Sequence, residues 1–333
     1  MTTLKRIDAV SVPAVENTLA LFDTLPTSVA FNRTHLRELL PTMTITRDGP
    51  LMFRLFSDSQ FIDFSKTWFY LKSGIEKSTD DGVNWVPLGA TDADKKVGVI
   101  QNYGSSFIKE LKISINGIEC YNSGIYYPYK SYISTEFDTP VGQRNAFLQS
   151  ACYFADEGDK GQESENNSGY IHRKALFANG QKIGTMVRLN FDLANQNSLF
   201  LNNSDVLFSI RPQKDEFLLL IPGGIPPAEA GKKPIKYRVT IYEAKIYCTL
   251  VDVVQSLQNQ IAKTLESTPA KYSIRKIELR HLYVPKGTTN IAWNVFGSVI
   301  PLRLIVFMVS NPAFDGEITS SPFVFQNYNL EAI

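Results

Sequence analysis

The chain has 333 residues, of which 44% are hydrophobic, 20% charged and 12% aromatic. Thirty-four Lys and Arg against 33 Asp and Glu give a formal net charge of +1, so the chain offers no overall positive field and we expect no specific nucleic-acid binding. No run of about 18 apolar residues occurs, which argues against a membrane span. The N-terminus also lacks the continuous apolar core of a signal peptide.

The first 40 residues show no clean hydrophobic period, and we interpret residues 1–40 as an N-terminal arm with a short helix near Thr34–Leu40. Strand patterns begin at Met43, and Asp48-Gly49-Pro50 indicates a turn. Alternating or β-rich runs predict the first strands, at Met43 and Ile45, at Leu51, Phe53 and Leu55, and at Thr67–Leu71.

The strongest local signal is Asn116-Gly117, which follows the alternating residues Leu111, Ile113 and Ile115. This dipeptide predicts a β-hairpin because both positions tolerate positive φ. The polar segments 77–98, 155–169 and 222–234 are predicted to be surface loops. The mixed spacing between Tyr126 and Ala151 favours two short helices.

Later strands are predicted by alternation, at residues 187–193, 206–210 and 237–250. In the last of these the apolar residues change from odd to even positions, which predicts a β-bulge near Ile241–Glu243. Helical spacing of Val254, Leu257, Ile261 and Leu265 predicts an amphipathic helix over about 252–266.

The segment from Ile274 to Phe325 carries further strand patterns. Leu304–Val309 is six consecutive apolar residues followed by Ser-Asn-Pro, which favours a strand buried on both faces. Such a strand needs partners from elsewhere in the chain or from another subunit. Many short strands separated by unequal, turn-rich loops predict an all-β sandwich or jelly-roll fold with short helices.

No stretch carries a catalytic signature, and we assign no catalytic, cofactor-binding or metal-binding residue. The three histidines, His35, His172 and His281, lie far apart and lack metal-ligand spacing. The cysteines form no CxxC pair, and Asp80-Asp81-Gly82 and Asp92/Asp94 lack EF-hand spacing. Two weaker patterns remain. The first is a carbohydrate-stacking platform formed by Tyr126, Tyr127 and Tyr129. The second is a phosphate-binding stripe formed by Lys271, Arg275, Lys276, Arg280 and Arg303.

Several segments together resemble one family. They are GVIQNYGSSFIKELKISINGIEC (98–120), YYPYKSYISTEF (126–137), residues 168–220, TPAKYSIRKIELRHLYVPKG (268–287) and residues 296–333. Their order and spacing are similar to the double jelly-roll major capsid proteins of Polinton/Maverick-type elements and adintovirus-like viruses. The resemblance extends from about residue 40 to the end and depends on the ordered set of segments.

The resemblance implies a structural protein of an icosahedral virus-like shell and no enzyme. It implies a homotrimer with a pseudo-hexagonal outline, which contacts neighbouring capsomers and penton proteins in the virion and is assembled inside the host cell. The resemblance divides the chain into an arm (1–40), a first jelly roll (41–251), a linker helix (252–269) and the start of a second jelly roll (270–333).

A jelly roll needs about eight strands, and only about 60 residues follow Ala270. We therefore expect the second jelly roll to be incomplete in this chain, through truncation or through strands supplied by another chain. One alternative function stays open: a β-sandwich binding module, in a minor capsid or spike protein, that recognises carbohydrate or a receptor. An enzyme of the cupin type would require clustered histidines.

Overall fold

The computed structural model describes residues 30–92, 94–157, 164–225, 233–288, 290–295 and 300–330, and eleven strands and seven α-helices lie in these ranges. The strands are β1 (Phe31–Leu39), β2 (Leu51–Phe56), β3 (Phe61–Ser78), β4 (Val86–Pro87), β5 (Gly98–Val99), β6 (Ile108–Ile115), β7 (Ile118–Asn122), β8 (Ile183–Arg188), β9 (Asp205–Pro212), β10 (Leu219–Leu220) and β11 (Lys236–Val253). The helices are α1 (Tyr103–Ser106), α2 (Tyr127–Asp138), α3 (Val141–Phe147), α4 (Ser168–Phe177), α5 (Asp215–Leu218), α6 (Gln255–Leu265) and α7 (Asn311–Asp315).

Eight of the strands pair in a nested order. The first pairs with the last (β1 with β11), β2 pairs with β9, β3 with β8, and the innermost pair is the β6–β7 hairpin. Two further pairings, β11 with β3 and β9 with β6, assemble these pairs into two antiparallel sheets. The sheet orders are β1-β11-β3-β8 and β2-β9-β6-β7, and β4 also pairs with β3. This eight-strand arrangement is a jelly roll, so the predicted all-β class and its first jelly roll are confirmed.

The core lies between the two sheets and is rich in phenylalanine. Phe53 of β2 meets Phe69 of β3 edge-to-face, with ring centroids 6.3 Å apart, and both side chains are fully buried. Phe191 meets Phe208 of β9 in the same way at 6.4 Å. Each large apolar side chain removed from water contributes roughly 1.5–3 kcal/mol, so these inward-facing residues supply much of the stability of the sandwich.

The predicted hairpin is confirmed in detail. Ile115 pairs with Ile118 across the turn, and Asn116 and Gly117 have φ of 52° and 79°. Positive φ at both central residues gives a turn whose twist matches the two strands, which is why this dipeptide fits here.

The predicted bulge in β11 is also confirmed. The register between β11 and β3 shifts between Ile241 and Glu243. Before the shift Val239 faces the core, and after it Ala244 and Ile246 do so. One extra residue on β11 therefore keeps both halves of the strand facing the same core despite the change of phase.

Two N-terminal predictions are wrong. Thr34–Leu40 is not a helix, because residues 31–39 form β1, which pairs with the distant β11 from Phe31↔Val253 to Leu39↔Ile246. Met43 and Ile45 form no strand either. The chain turns from the first sheet to the second at this point, and Thr42 N–H donates to Met52 C=O. Residues 1–29, most of the predicted arm, lie outside the described residues.

The predicted helices are confirmed as α2, α3 and α6. Of the predicted loops, 77–98 includes the short strand β4, and the end of 155–169 enters α4 at Ser168. The central parts of 155–169 and 222–234 lie outside the described residues. The strand predicted over 187–193 ends at Arg188, and a short 3-10 turn follows at Asp192–Asn195.

The strands predicted between Ile274 and Phe325 are not formed. Among the described residues of this region α7 is the one regular element. Leu304–Val309 has neither ladder partners nor cover on both faces, since Leu304 and Val306 are exposed. A strand requires a neighbouring strand for its backbone hydrogen bonds, and none of the described residues supplies one. The described part of residues 270–330 thus contains no sheet.

Candidate subunit interface

The C-terminal segment, residues 300–330, is anchored to the jelly roll by aromatic rings. Tyr132 of α2 stacks on Phe323, with ring centroids 4.2 Å apart and an angle of 3° between the planes. Tyr129, one turn earlier, contacts a ring of α5 and three rings of the segment: Phe217, Phe307, Phe314 and Phe323. One face of α2 therefore forms the platform on which the segment rests.

Hydrogen bonds add to this anchoring. Ile221 N–H donates to Ile318 C=O at 2.7 Å and so joins the segment to the jelly roll. Within the segment, Gln326 N–H donates to Met308 C=O at 3.1 Å. Tyr126 Oη lies 2.6 Å from His281 Nδ1, which ties the chain that precedes the segment to the start of α2.

Residues 300–306 of the segment are exposed. Ile300, Leu302, Leu304 and Val306 are 64%, 81%, 54% and 50% exposed. Pro301, Arg303 and Ile305 between them are exposed as well, and the chain bends at Leu302. We call this mostly aliphatic run the aliphatic strip. Continuous exposed apolar surface of this kind marks an interaction site.

A groove of about 980 Å³ lies between the first half of β11 and the residues that follow α7. Its half-buried apolar side chains are Ile45, Trp85, Ile225, Ile241 and Ile318. The groove borders β11 where β1 has already left it, since β1 pairs with β11 only as far as Ile246. One backbone donor of this open strand edge has a side-chain partner: Val239 N–H donates to Asp215 Oδ1 at 3.0 Å.

The charges of the groove are unbalanced. Its three cations form ion pairs: Arg47 with Asp215 at 2.6 Å, Lys236 with Asp81 at 2.7 Å and Arg238 with Glu76 at 2.7 Å. The groove is also lined by three exposed carboxylates that form no ion pair within the described part of the chain, namely Asp48, Glu216 and Glu317. We call these three the acidic rim.

The tyrosine platform considered for carbohydrate stacking is not formed. Tyr127 is fully buried and Tyr129 nearly so, and burial raises the pKa of both phenols well above the usual range. Tyr127 Oη accepts the Asn190 N–H at 3.0 Å, and Tyr126 pairs with His281. Tyr127 and Tyr129 instead pack into the hydrophobic core.

The other sequence candidates lie apart from one another. His35 faces Gln60, His172 faces the Ser168 carbonyl, and His281 faces Tyr126. Within the described residues no three His, Cys, Asp or Glu side chains are placed to hold a metal ion. The cysteines Cys120, Cys152 and Cys248 are unpaired, and burial raises the pKa of Cys152 and of Cys248 to about 12. No helix in the described ranges is long and apolar enough to cross a membrane.

The basic cluster of the C-terminal region, considered above as a phosphate-binding stripe, includes an acidic residue. Glu278 lies between Lys276 at 2.5 Å and Arg280 at 3.5 Å, and these two cations lower its pKa. Arg303 is 67% exposed, and its closest carboxylate is Asp138 at 4.0 Å. Arg303 therefore stands within the aliphatic strip as a cation with only a weak ion pair.

Sequence patterns did not reveal the buried ion pairs that support the platform. Lys130 of α2 pairs with Asp192 at 2.7 Å, and although burial lowers its pKa, the Asp192 charge opposes that shift. Arg173 of α4 is fully buried and pairs with Asp156 at 3.0 Å. Burial raises the pKa of Asp156, and Arg173 counteracts it. The partners are 62 and 17 residues apart, so no local spacing could have indicated them.

Comparison with known proteins gives distant likenesses. No family model matches the chain. An uncharacterised protein of Caenorhabditis elegans is 25% identical over 286 residues, which is 85% of this chain and 64% of that protein. The chain therefore spans less than two thirds of this curated relative.

Similar solved structures include viral capsid proteins. A chain of the Sputnik virophage has a TM-score of 0.48 at 13% identity. The alignment covers 74% of this chain and 53% of the Sputnik chain. The major capsid protein of Faustovirus has a TM-score of 0.43 at 9% identity, covering 74% and 58%. The mavirus major capsid protein has a TM-score of 0.42 at 12% identity, covering 75% and 54%. This chain thus spans about half the length of each of these structures.

Proposed function

We propose that the protein is a structural subunit of an icosahedral virus-like capsid and that it acts by assembly rather than by catalysis. The observation that carries this proposal is the aliphatic strip, an exposed and mostly apolar run that lies beside the eight-strand jelly roll. A jelly roll is an architecture of viral capsid and lectin domains. Exposed apolar surface on such a scaffold favours association with further protein.

The internal construction of the sandwich supports a structural role. The core is filled by aromatic side chains with ring contacts such as Phe53–Phe69. The ordered sequence segments that resemble double jelly-roll major capsid proteins point to the same role.

The finer parts of the proposal follow from that resemblance. We propose a homotrimer of pseudo-hexagonal outline, which contacts neighbouring capsomers and penton proteins in the virion and is assembled inside the host cell. The chain is then divided into an N-terminal arm, a first jelly roll, a linker helix and the beginning of a second jelly roll. The expected boundary at residues 40 and 41 moves toward the N-terminus, because β1 (Phe31–Leu39) belongs to the first jelly roll, which ends with β11 at Val253 before α6. The origin in Polinton/Maverick-type elements or adintovirus-like viruses belongs to this proposal as well.

Electron microscopy of the purified protein tests the role directly. Concentrated protein at moderate salt is expected to form particles of uniform, near-hexagonal outline, and a larger assembly when the penton partner is added. Dispersed single chains that bind a glycan or receptor array would contradict the proposal and favour a binding module.

A further inference from the structure

We propose that residues 19–29 dock in the apolar pocket between α6 and the start of β1. These residues lie outside the described residues, and the pocket itself is formed by described ones. The occupant is the N-terminal segment of the same copy, and its docking is independent of the proposed capsid role.

A small hydrophobic cluster lies apart from the main core, at the end of the sandwich where β11 is followed by α6. Its buried members are Phe61, Val251 and Val253, and Leu257 and Ile261 of α6 pack against them while only half-buried. A pocket of about 280 Å³ opens beside this cluster. That volume is just below the range of small-molecule sites, so it suits a few side chains of a peptide better than a cofactor-sized ligand.

The apolar surface around the pocket is incompletely covered. Phe31, which lines the pocket at the start of β1, is 51% exposed, and Leu265 at the end of α6 is 37% exposed. None of the eleven residues of α6 is fully buried, although its apolar residues recur at helical spacing. Because a short helix is stabilised mainly by the packing of its apolar face, α6 gains stability from a further apolar partner.

The chain enters the described structure at the rim of this pocket. Ala30 C=O accepts the Val254 N–H at 3.0 Å, and the next pair along the two strands, Phe31 and Val253, lines the pocket. Eleven extended residues span at most about 36–40 Å. The helix α6 is roughly 16 Å long. Residues 19–29 can therefore reach every part of the pocket.

The chemistry of this segment matches the pocket. Its sequence, LALFDTLPTSV, has Asp23 as its one charged residue. Its large apolar residues are Leu19, Leu21, Phe22, Leu25 and Val29. A segment tethered next to its site has an effective concentration of about millimolar, so even a weak contact keeps it bound in preference to a free partner. The tether therefore favours the segment of the same copy as the occupant.

Alkylation of an introduced cysteine in the full chain tests the docking. Leu25→Cys reports on the segment and preserves an apolar side chain there, because cysteine behaves as a small apolar residue. Val10→Cys, which precedes the segment, is the matched control. Both are made together with Cys120→Ser, since Cys120 is the exposed one of the three native cysteines. Each rate of reaction with iodoacetamide is divided by the rate in the urea-unfolded chain.

Each cysteine is then combined with a change in the pocket. Leu257→Asp places a charge in the wall, and Phe31→Ser removes a ring from the rim without altering α6, which preserves the test if the first change unfolds the helix. Gln260→Asp adds the same charge at an exposed position of α6 and is the control. Circular dichroism checks that each variant is folded.

We expect Leu25→Cys to react at least about tenfold more slowly than Val10→Cys, since a thiol in the pocket reacts only when the segment leaves it. Either pocket change should abolish this protection, Gln260→Asp should retain it, and the rates should not depend on protein concentration.

Equal rates for the two cysteines, or protection that survives both pocket changes, would overturn the docking. Protection that appears only at high protein concentration would make another copy the donor of the segment and overturn the assignment to the same chain. The capsid proposal is tested separately, by assembly.

Discussion

Tyr132 and Phe323 lie face to face, with their rings 4.2 Å apart and 3° from parallel, and this pair holds the C-terminal segment against α2. Phe323 is nearly fully buried and also meets Tyr129 and Phe217 edge-to-face. The aromatic platform therefore determines where the aliphatic strip is presented.

Replacing Phe323 with Ala should release this segment locally while the jelly roll stays folded. Truncating a buried Phe costs about 3–5 kcal/mol, which corresponds to at least about a hundredfold increase in local opening. Hydrogen exchange at the Gln326 amide, which donates to Met308 C=O, measures this opening. Phe147→Ala is the control because Phe147 is highly exposed on α3. Unchanged exchange at Gln326 in the Phe323 variant would mean that the stack does not anchor the segment.

Deleting Lys245 should prevent folding of the first jelly roll, whereas deleting Tyr242 should not. Tyr242 is the extra residue of the bulge, so its deletion leaves Val239, Ala244 and Ile246 in one regular alternation that still faces the core. Deleting Lys245, which lies outside the bulge, turns Ile246 and the core residues that follow it to the opposite face. Solubility and urea unfolding of the two variants provide the measurement. Equal stability of the two deletion variants would contradict this account of the bulge.

Arg173→Met should destabilise the protein by about 3–5 kcal/mol. The guanidinium donates to the carbonyls of Val99 and Phe154 and to the carboxylate of Asp156, all in the interior. The substitution removes this donor from all three and leaves Gln101 Nε2 as the remaining side-chain donor to Phe154 C=O and Asp156. Lys95→Met is the matched control, because Lys95 pairs with Asp92 in an exposed ion pair, whose loss should cost less than about 1 kcal/mol. Equal urea midpoints for the two variants would contradict this account of Arg173.

Stability should fall as the pH rises above about 10. Burial raises the pKa of Tyr103, Tyr127 and Tyr170 above the value of an unfolded phenol. Above pH ~10 the unfolded chain releases protons that the folded chain retains. The free energy of unfolding therefore keeps its full value below that pH and decreases above it. Tyrosinate absorbance and far-ultraviolet circular dichroism, recorded together in an alkaline titration, should change in one transition. Ionisation of most tyrosines without loss of secondary structure would contradict the burial of these rings.

Local sequence signals predicted the features that depend on neighbouring residues. The Asn116-Gly117 hairpin and the bulge at Ile241–Glu243 are examples, because a positive-φ turn and a change of phase are both visible in consecutive residues. Thr34–Leu40 was misassigned as helix because its conformation is determined by pairing with β11, about 210 residues further along. Tertiary pairing overrides local propensity in such a segment.

Sequence patterns predicted only part of the candidate interface. The apolar run around Leu304 predicted a buried strand that needs partners, but its backbone forms no strand among the described residues, and Leu304 and Val306 are exposed. The groove could not be foreseen, since Asp48, Glu216 and Glu317 come together only after the chain has folded. The Tyr126–Tyr129 cluster was recognised, but its role as the platform for a distant segment depends on Phe323, almost 200 residues away.

Native mass measurement of the purified chain over a wide concentration range tests the capsid proposal most directly. The account predicts a stable species with three times the mass of one chain, which persists on dilution because its contacts bury the aliphatic strip. A single chain at every concentration, including the highest attainable, would contradict it.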